Sequence, residues 1–289
     1  MQGWLIVNGF LQTNKFLELY EYLVSAAKTE GIDLVLKTSV ELCECLDTPL
    51  SELPDFAIFW DKDYPLAKRL QGEGVRLFNN AEGIRLCDDK ILTTLALRGK
   101  LAMPKTVIAP KTFDGVGYTD LSFLRVAEEK LGFPMVVKEA FGSFGWQVYM
   151  AEDGVQLREI VGKIGAKPFL MQEFISSSRG RDLRINVVGG KVVGVMLREN
   201  SEDFRSNISG GGTGRAYSPT KEQKEMALTA CRELGLDFAG VDVLFGKDGE
   251  PILCEVNSNP HFKSSLEYTG VDVALEIIRH IKGALCVDG

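Results

Sequence analysis

Histidine is scarce in this sequence: among 289 residues only His261 and His280 occur. So few imidazoles argue against the histidine-rich ligand sets of catalytic zinc sites. They also leave no Ser–His–Asp or Cys–His arrangement to supply a nucleophile. Cysteine is present without the spacing of a metal or redox site. Cys43, Cys45, Cys87, Cys231, Cys254 and Cys286 contain no C-x-x-C pair, and they read as reduced thiols of a cytosolic protein. No apolar run reaches the ~18 residues that a membrane span needs. Met1–Phe10 is apolar but lacks a basic leader and a small-residue cleavage site, so it reads as a first strand and not a signal peptide. A cytoplasmic protein without membrane contact is expected. An excess of positive charge is missing too: 33 Lys and Arg against 40 Asp and Glu give a net charge of −7, which argues against general nucleic-acid binding.

What remains is ordinary globular composition, 45% hydrophobic and 25% charged, which excludes a disordered or fibrous chain. A chain of this size buries about three quarters of its unfolded surface, so no staple is needed. Its length suggests about two domains. Trp4–Val7, a helical stretch from Lys15 to Thr29, and Asp33–Lys37 form a strand–helix–strand unit. Phe56–Trp60, a helix at Pro65–Gln71 and Val75–Phe78 extend it. Residues 1–88 therefore read as a parallel α/β domain. Asp88 is the expected N-cap of a helix running to Arg98, with Lys90 in its first turn. A lysine there opposes the positive helix end, which favours its pointing at a ligand. Strands follow at Thr106–Ala109, Met135–Lys138, Gln147–Ala151 and Pro168–Phe174, with helices at 120–131 and 154–164. Leu183–Val188 and Lys191–Arg198 form a hairpin across Gly189-Gly190. Residues 199–217 read as a glycine-rich loop, 219–235 as a helix, Phe238–Phe245 and Pro251–Val256 as strands, and 271–285 as a last helix.

Three groups of residues carry chemistry. Lys138 ends a strand, and Gly142-Ser143-Phe144-Gly145 follows as a loop able to bring backbone N–H groups to an anion. The same stretch also reads as a plain hairpin with an exposed lysine. Asp242, Glu255 and Asn257 sit in apolar strands, and Glu255 and Asn257 share one face. Such hard oxygen donors suit Mg²⁺ or Mn²⁺ beside nucleotide phosphates; a salt bridge to lysine or arginine is the alternative. Arg179, Arg181, Arg184, Arg198, Arg205 and Arg215 cluster near the glycine run 210–212. They suit carboxylate or phosphoryl recognition, or form a solvated basic face.

In order along the chain these groups resemble the ATP-grasp ligases, in particular the branch of the ribosomal-protein glutamate ligase RimK. The carriers are Lys90, Lys138 with its glycine loop, Gln172-Glu173-Phe174-Ile175, Asp182-Leu183-Arg184, Phe204-Arg205-Ser206-Asn207, Asp242 and Glu255-Val256-Asn257. The resemblance covers about 85–285. It implies an α/β fold, α+β in its C-terminal part. A pre-ATP-grasp domain would span 1–88, a central subdomain 89–172, and a C-terminal subdomain 173–289. It further implies that Lys90 and Lys138 contact ATP phosphates under Gly142, Ser143 and Gly145. Gln172, Glu173, Phe174 and Ile175 would form the adenine hinge, and Asp182 would lie near the ribose. Arg205, Ser206 and Asn207 would flank the triphosphate, with Lys138, Arg205 and Asn207 catalytic. Asp242, Glu255 and Asn257 would hold two magnesium ions, or manganese. Arg184, Arg198, Gly211 and His261 would face the substrate.

The implied reaction joins a carboxylate acceptor (peptide, protein or small molecule) to an amino-acid amine such as glutamate, through an acyl phosphate. The implied partners are ATP and those two substrates, without nucleic acid or membrane; a homo-oligomer is compatible with the sequence. Two departures flank the acceptor side. Ser258-Asn259-Pro260-His261 replaces a small Ser-Pro-Gly run, and Phe144 and Trp146 replace smaller loop residues. Rival readings are the same ligase acting on a carrier protein, cofactor tail or ribosomal peptide, a catalytically inactive nucleotide-binding regulator, and a small-alcohol kinase. His261 is either a substrate contact or a structural loop residue, and His280 reads as surface.

Overall fold

A computed structural model describes residues 1–11 and 13–287, so the last two residues of the expected C-terminal subdomain lie outside it. The described residues form three sheets. The first contains β1 (Gln2–Val7), β2 (Asp33–Thr38), β3 (Phe56–Trp60) and β4 (Leu77–Phe78), all parallel, in the order β2-β1-β3-β4. β3 is buried along its whole length and β1 along nearly all of it. Both faces are covered, which explains their unbroken apolar runs. Helix α1 (Asn14–Thr29) links β1 to β2, and α2 (Tyr64–Gly72) links β3 to β4. Because β1 lies between β2 and β3, the connections diverge at the carboxyl ends of β1 and β3, a ligand-binding position in open α/β sheets.

Two helices follow. In α3 (Ala81–Asp88), Asn80 caps the start by accepting from Gly83 N at 2.8 Å. In α4 (Lys90–Leu97), Asp89 is the N-cap, accepting from Ile91 N at 2.8 Å and Leu92 N at 3.2 Å. The expected N-cap, Asp88, instead ends α3. Two adjacent acids were equivalent in sequence, and the one-residue break between the helices assigns the cap to the second.

The second sheet is antiparallel: β5 (Thr106–Ile108), β6 (Met135–Glu139), β7 (Val148–Ala151) and β8 (Phe169–Glu173), ordered β5-β8-β6-β7. β8 runs across the boundary expected at 172/173. Helices α5 (Leu124–Leu131) and α6 (Gly154–Ile164) cover one face, where Met135, Val137, Phe169 and Met171 join the core. The strand alternation turns Val136, Lys138 and Gln172 to the other face.

The third sheet is antiparallel as well: β9 (Arg181–Val188), β10 (Lys191–Glu199), β11 (Thr213–Ala216), β12 (Phe238–Phe245) and β13 (Pro251–Asn257), ordered β11-β10-β9-β12-β13. Leu183, Ile185, Leu197, Val241 and Val243 face α7 (Lys221–Glu233), whose start carries a Thr220/Gln223 capping box. The region expected to be wholly loop contains β11, an edge strand lacking any apolar alternation. A short helix α8 (Lys263–Thr269) was also unforeseen. Helix α9 (Val273–Val287) packs Ile277, Ile278 and Ile281 against Leu19 and Leu23 of α1 and Phe238 of β12. One core thus joins the first and third sheets. His280 is not a surface residue: it is half-buried, edge-on to Phe78, with Nε2 3.3 Å from Asp237 Oδ1. Among the described residues no helix is long and apolar enough to cross a membrane.

Candidate active site

A cleft of about 650 Å³ opens between the second and third sheets, with the carboxyl ends of β1 and β3 closing one end. Lys138, 9% exposed, points from β6 into it, with Nζ 3.7 Å from Cys254 Sγ. Lys90 starts α4 and reaches the same region. Its Nζ donates to Gly142 O at 3.2 Å and lies 3.8 Å from Glu255 Oε1. Burial pushes the Lys90 ammonium below the usual lysine range, against the opposing pull of Glu255. A ligand with negative charge would relieve that penalty.

Neighbouring strands carry a row of charges across the cleft face of the third sheet. Arg198 on β10 donates from Nε and Nη2 to Asp182 on β9 at 2.7 and 2.5 Å. Arg184 on β9 donates Nε and Nη2 to Asp242 on β12, and Arg198 Nη2 lies 3.0 Å from Asp242 Oδ2. Asp242, 4% exposed, sits opposite Glu255 in the β12–β13 register. Burial by itself would raise its carboxyl, but the two guanidiniums outweigh it and hold Asp242 below the usual carboxylate range. Arg184, Arg198 and Asp182 all line the cleft, yet their charged ends are engaged with acids and bases of the chain itself.

The oxygen set fits a magnesium ion. Glu255 faces the cleft with Lys90 as its ion-pair partner, and Asn257 follows it on the same strand face. Asp242 Oδ1, which accepts from Arg184 Nε, keeps a second lone pair, whereas Oδ2 faces both guanidiniums. Among the described residues no three His, Cys, Asp or Glu side chains form a metal cage alone. Such a sparse set is usual for Mg²⁺, which retains waters and takes phosphate oxygens as ligands.

The glycine loop lies across this row. Arg205 Nη1 donates to Gly145 O at 2.7 Å while its Nε and Nη2 hold Asp203. Gly145 has φ 76°, and a Cβ there would stand 2.9 Å from Asn207 Oδ1, so loop and arginine segment are in close contact. Ser143 N donates to Gln147 Oε1, and its Oγ accepts from Lys62 Nζ at 3.3 Å. Phe144 leans on α1, under Lys15 Nζ and edge-on to Phe16. Trp146 is 75% exposed and does not line the cleft. Ser206 and Asn207 line it; Gly211 does not, because it closes the short turn before β11.

Gln172, Glu173, Phe174 and Ile175 form one wall. Glu173 Oε1 and N are both tied to Lys105, at 2.8 and 3.0 Å, which anchors the wall to the strand entering β5. Gln172 Nε2 donates to Thr106 Oγ1 at 3.0 Å, leaving its buried Oε1 without a partner. Phe174 packs edge-on against Phe204.

Residues of the first 62 positions that the motif order did not mark also line the cleft, Lys15, Asp61 and Lys62 among them. Their signal was positional, since Asp61 and Lys62 directly follow a parallel strand. His261 lines the same end. Burial, with Lys15, Lys263 and Arg184 nearby, pushes its imidazole down to about 4, so it is neutral at pH 7.

Residues 87–281 match the family model of the RimK-like ATP-grasp domain. An uncharacterized protein of Mycoplasma pneumoniae is 30% identical over 266 residues, covering 90% of this chain and 92% of that protein. Human N-acetylaspartylglutamate synthase A is 34% identical over 229 residues, which is 78% of this chain and 57% of the human protein. In fold, the chain is similar to the RimK domain ATP-grasp protein of Sphaerobacter thermophilus, with a TM-score of 0.75, 22% identity, and 97% and 99% of the two chains covered.

Proposed function

The chain belongs to the RimK-like ATP-grasp family and is an ATP-grasp ligase, and from that premise we propose that it joins a small carboxylate to the amine of an amino acid, glutamate first among them. The support for glutamate is the human relative, whose name states a glutamate-containing product. ATP-grasp ligases work with ATP and Mg²⁺. Here adenine would lie along Gln172–Ile175 with the ribose toward Asp182. The phosphates would run toward Lys90, Lys138 and the Gly142–Gly145 loop. Asp242, Glu255 and Asn257 would hold two magnesium ions, or manganese, which supply positive charge to the phosphate oxygens.

The observation that carries this reading is the convergence of Lys90 on both Glu255 and the Gly142 carbonyl, with Lys138 beside them on the cleft floor. Cations, a metal-type acid and a backbone loop meet where a triphosphate would end. The acceptor carboxylate oxygen attacks the γ-phosphorus, ADP leaves, and an acyl phosphate remains. Lys138 and Arg205 stabilise the charge on the transferring group. The Arg205–Gly145 bond keeps the loop over the acyl phosphate and excludes water. The amine then attacks the acyl carbon and phosphate departs.

The test is turnover with defined substrates. The protein, ATP and Mg²⁺ are incubated with N-acetylaspartate, citrate or short acidic peptides, each with single amino acids, and ADP and product masses are recorded. The proposal expects ADP release that requires both substrates, and a product weighing their sum less one water. ADP release with a phosphorylated alcohol as product would replace the ligase reading by a kinase.

A further inference from the structure

Asp61 follows β3 at its carboxyl end, beside Asn8 at the end of β1, where the connections of the parallel sheet diverge. It is 7% exposed and lines the cleft. Asn8 Nδ2 donates to both carboxylate oxygens at 3.3 Å, and Lys62 N donates to Oδ1 at 2.7 Å. No lysine or arginine among the described residues pairs with it. Lys62 Nζ turns instead to Asp88 Oδ1 at 2.8 Å and to Ser143. A carboxylate buried without a cation is costly and calls for one.

Two more buried polar atoms in the same wall lack a hydrogen-bond partner, Asn259 Oδ1 and His261 Nε2. Asn259 Nδ2 donates to the Asp61 main-chain oxygen at 3.0 Å, which fixes the amide and makes Oδ1 the unpaired end. The neutral His261 ring keeps one nitrogen as an acceptor. Of the lysines at this end, Lys62 is held by Asp88 and Ser143, Lys263 by Glu18, and Lys15 lies over Phe144, so Asp61 and the unpartnered Asn259 Oδ1 are left as acceptors for a primary ammonium with its three N–H groups.

We propose that Asp61 receives the ammonium of the amine donor and takes its proton, acting as general base of the amide-forming step, with Asn259 and His261 completing the acceptor wall. This inference rests on the ligase reading. One N–H bond of the ammonium breaks and its proton passes to a carboxylate oxygen of Asp61. The freed lone pair forms the C–N bond to the acyl carbon, and the C–O bond to phosphate breaks. The phosphate departs with that electron pair and takes the second proton of the nitrogen. Burial, outweighing the bonds from Lys62 and Asn8, and then the charges of Asp63 and Asp88 raise the Asp61 carboxyl, which suits a proton acceptor. Tyr20 of α1, raised to about 12 by burial and by Asp61, stays protonated beside it.

The test compares two nucleophiles in wild type, Asp61→Asn and Asp61→Glu, with N-acetylaspartate or citrate as acceptor. Glutamate arrives as an ammonium; hydroxylamine is largely uncharged at pH 7 and needs no base. Asp61→Asn should lose about 100-fold in glutamate amide formation while hydroxamate formation changes little. Its amide rate should climb about tenfold per pH unit as bulk water deprotonates the amine, a rise absent from wild type. Asp61→Glu should recover part of the rate at pH 7, which guards against a folding defect. Equal loss of amide and hydroxamate, or loss of neither, overturns the proposal. A wild type that makes no hydroxamate from any carboxylate overturns the ligase reading and this inference with it.

Discussion

Arg205 donates from Nη1 to the carbonyl of Gly145 at 2.7 Å across a sequence separation of 60 residues. The segment after β10 thereby holds the glycine loop after β6 over the cleft. Asp203 receives the other edge of the same guanidinium, so the latch is a planar group fixed on both sides. Replacing it tests whether the loop protects an unstable intermediate. Lysine carries the charge but cannot span both partners. Arg205→Lys should lower amide formation about 100-fold and raise the ADP released per amide above one, as water reaches the acyl phosphate. Parallel ADP and product assays measure this. A ratio that stays at one would show that the contact does not exclude water.

Gly145→Ala addresses the loop backbone. At φ 76° an alanine is strained, and its Cβ would meet Asn207 Oδ1 at 2.9 Å. The left-handed conformation alone costs about 1–2 kcal/mol. The KM for ATP should rise about tenfold, in line with that cost, with little change in melting temperature because the loop lies outside the core. An unchanged KM would separate the loop conformation from nucleotide binding.

The legible parts of the sequence were those where one local signal sufficed. The buried runs of β1 and β3, the Gly189-Gly190 hairpin and the extent of β12 follow from apolar continuity and turn chemistry. β11 escaped because Thr213-Gly214-Arg215-Ala216 has no alternating face, and only pairing to β10 makes it a strand. The cap moved from Asp88 to Asp89 because both can cap. In the site, motif order marked Lys138 and Glu255, which line one cleft, and Lys90, whose Nζ approaches Glu255 and the Gly142 carbonyl. The salt-bridge alternative read for Asp242 is what the structure shows, but that its partners are Arg184 and Arg198 depends on the register of β10, β9 and β12 and was not legible. Nor could motif order mark Asp61, whose placement depends on topology and which no lysine or arginine among the described residues pairs with.

Glu255→Gln removes a negative charge from the cleft while keeping its shape. Activity should require at least tenfold more Mg²⁺, or vanish, if this carboxylate is a metal ligand. The melting temperature should stay near wild type, because the side chain faces the cleft and not the core. A magnesium titration of ADP release decides it: an unmoved midpoint would remove Glu255 from the metal site.

Asp242 links stability to pH. Its folded-state carboxyl is held below the unfolded value, so its contribution is complete at neutral pH. That contribution is lost as pH falls below about 4 and through the folded-state value. Asp242→Ala should cost about 3–5 kcal/mol by leaving Arg184 and Arg198 without their shared partner. Chemical denaturation from pH 7 down to acid should show a shallower decline for the variant than for wild type. Parallel curves would mean that Asp242 is not the acid-sensitive group.

Oxygen transfer from the acceptor tests the central claim most directly. With a carboxylate labelled in ¹⁸O, attack on the γ-phosphorus carries one labelled oxygen into the acyl phosphate, and amine attack releases it as inorganic phosphate. Mass spectrometry of that phosphate should find one ¹⁸O for each amide formed from a fully labelled carboxylate. Phosphate free of label, alongside amide product, would contradict an acyl phosphate route.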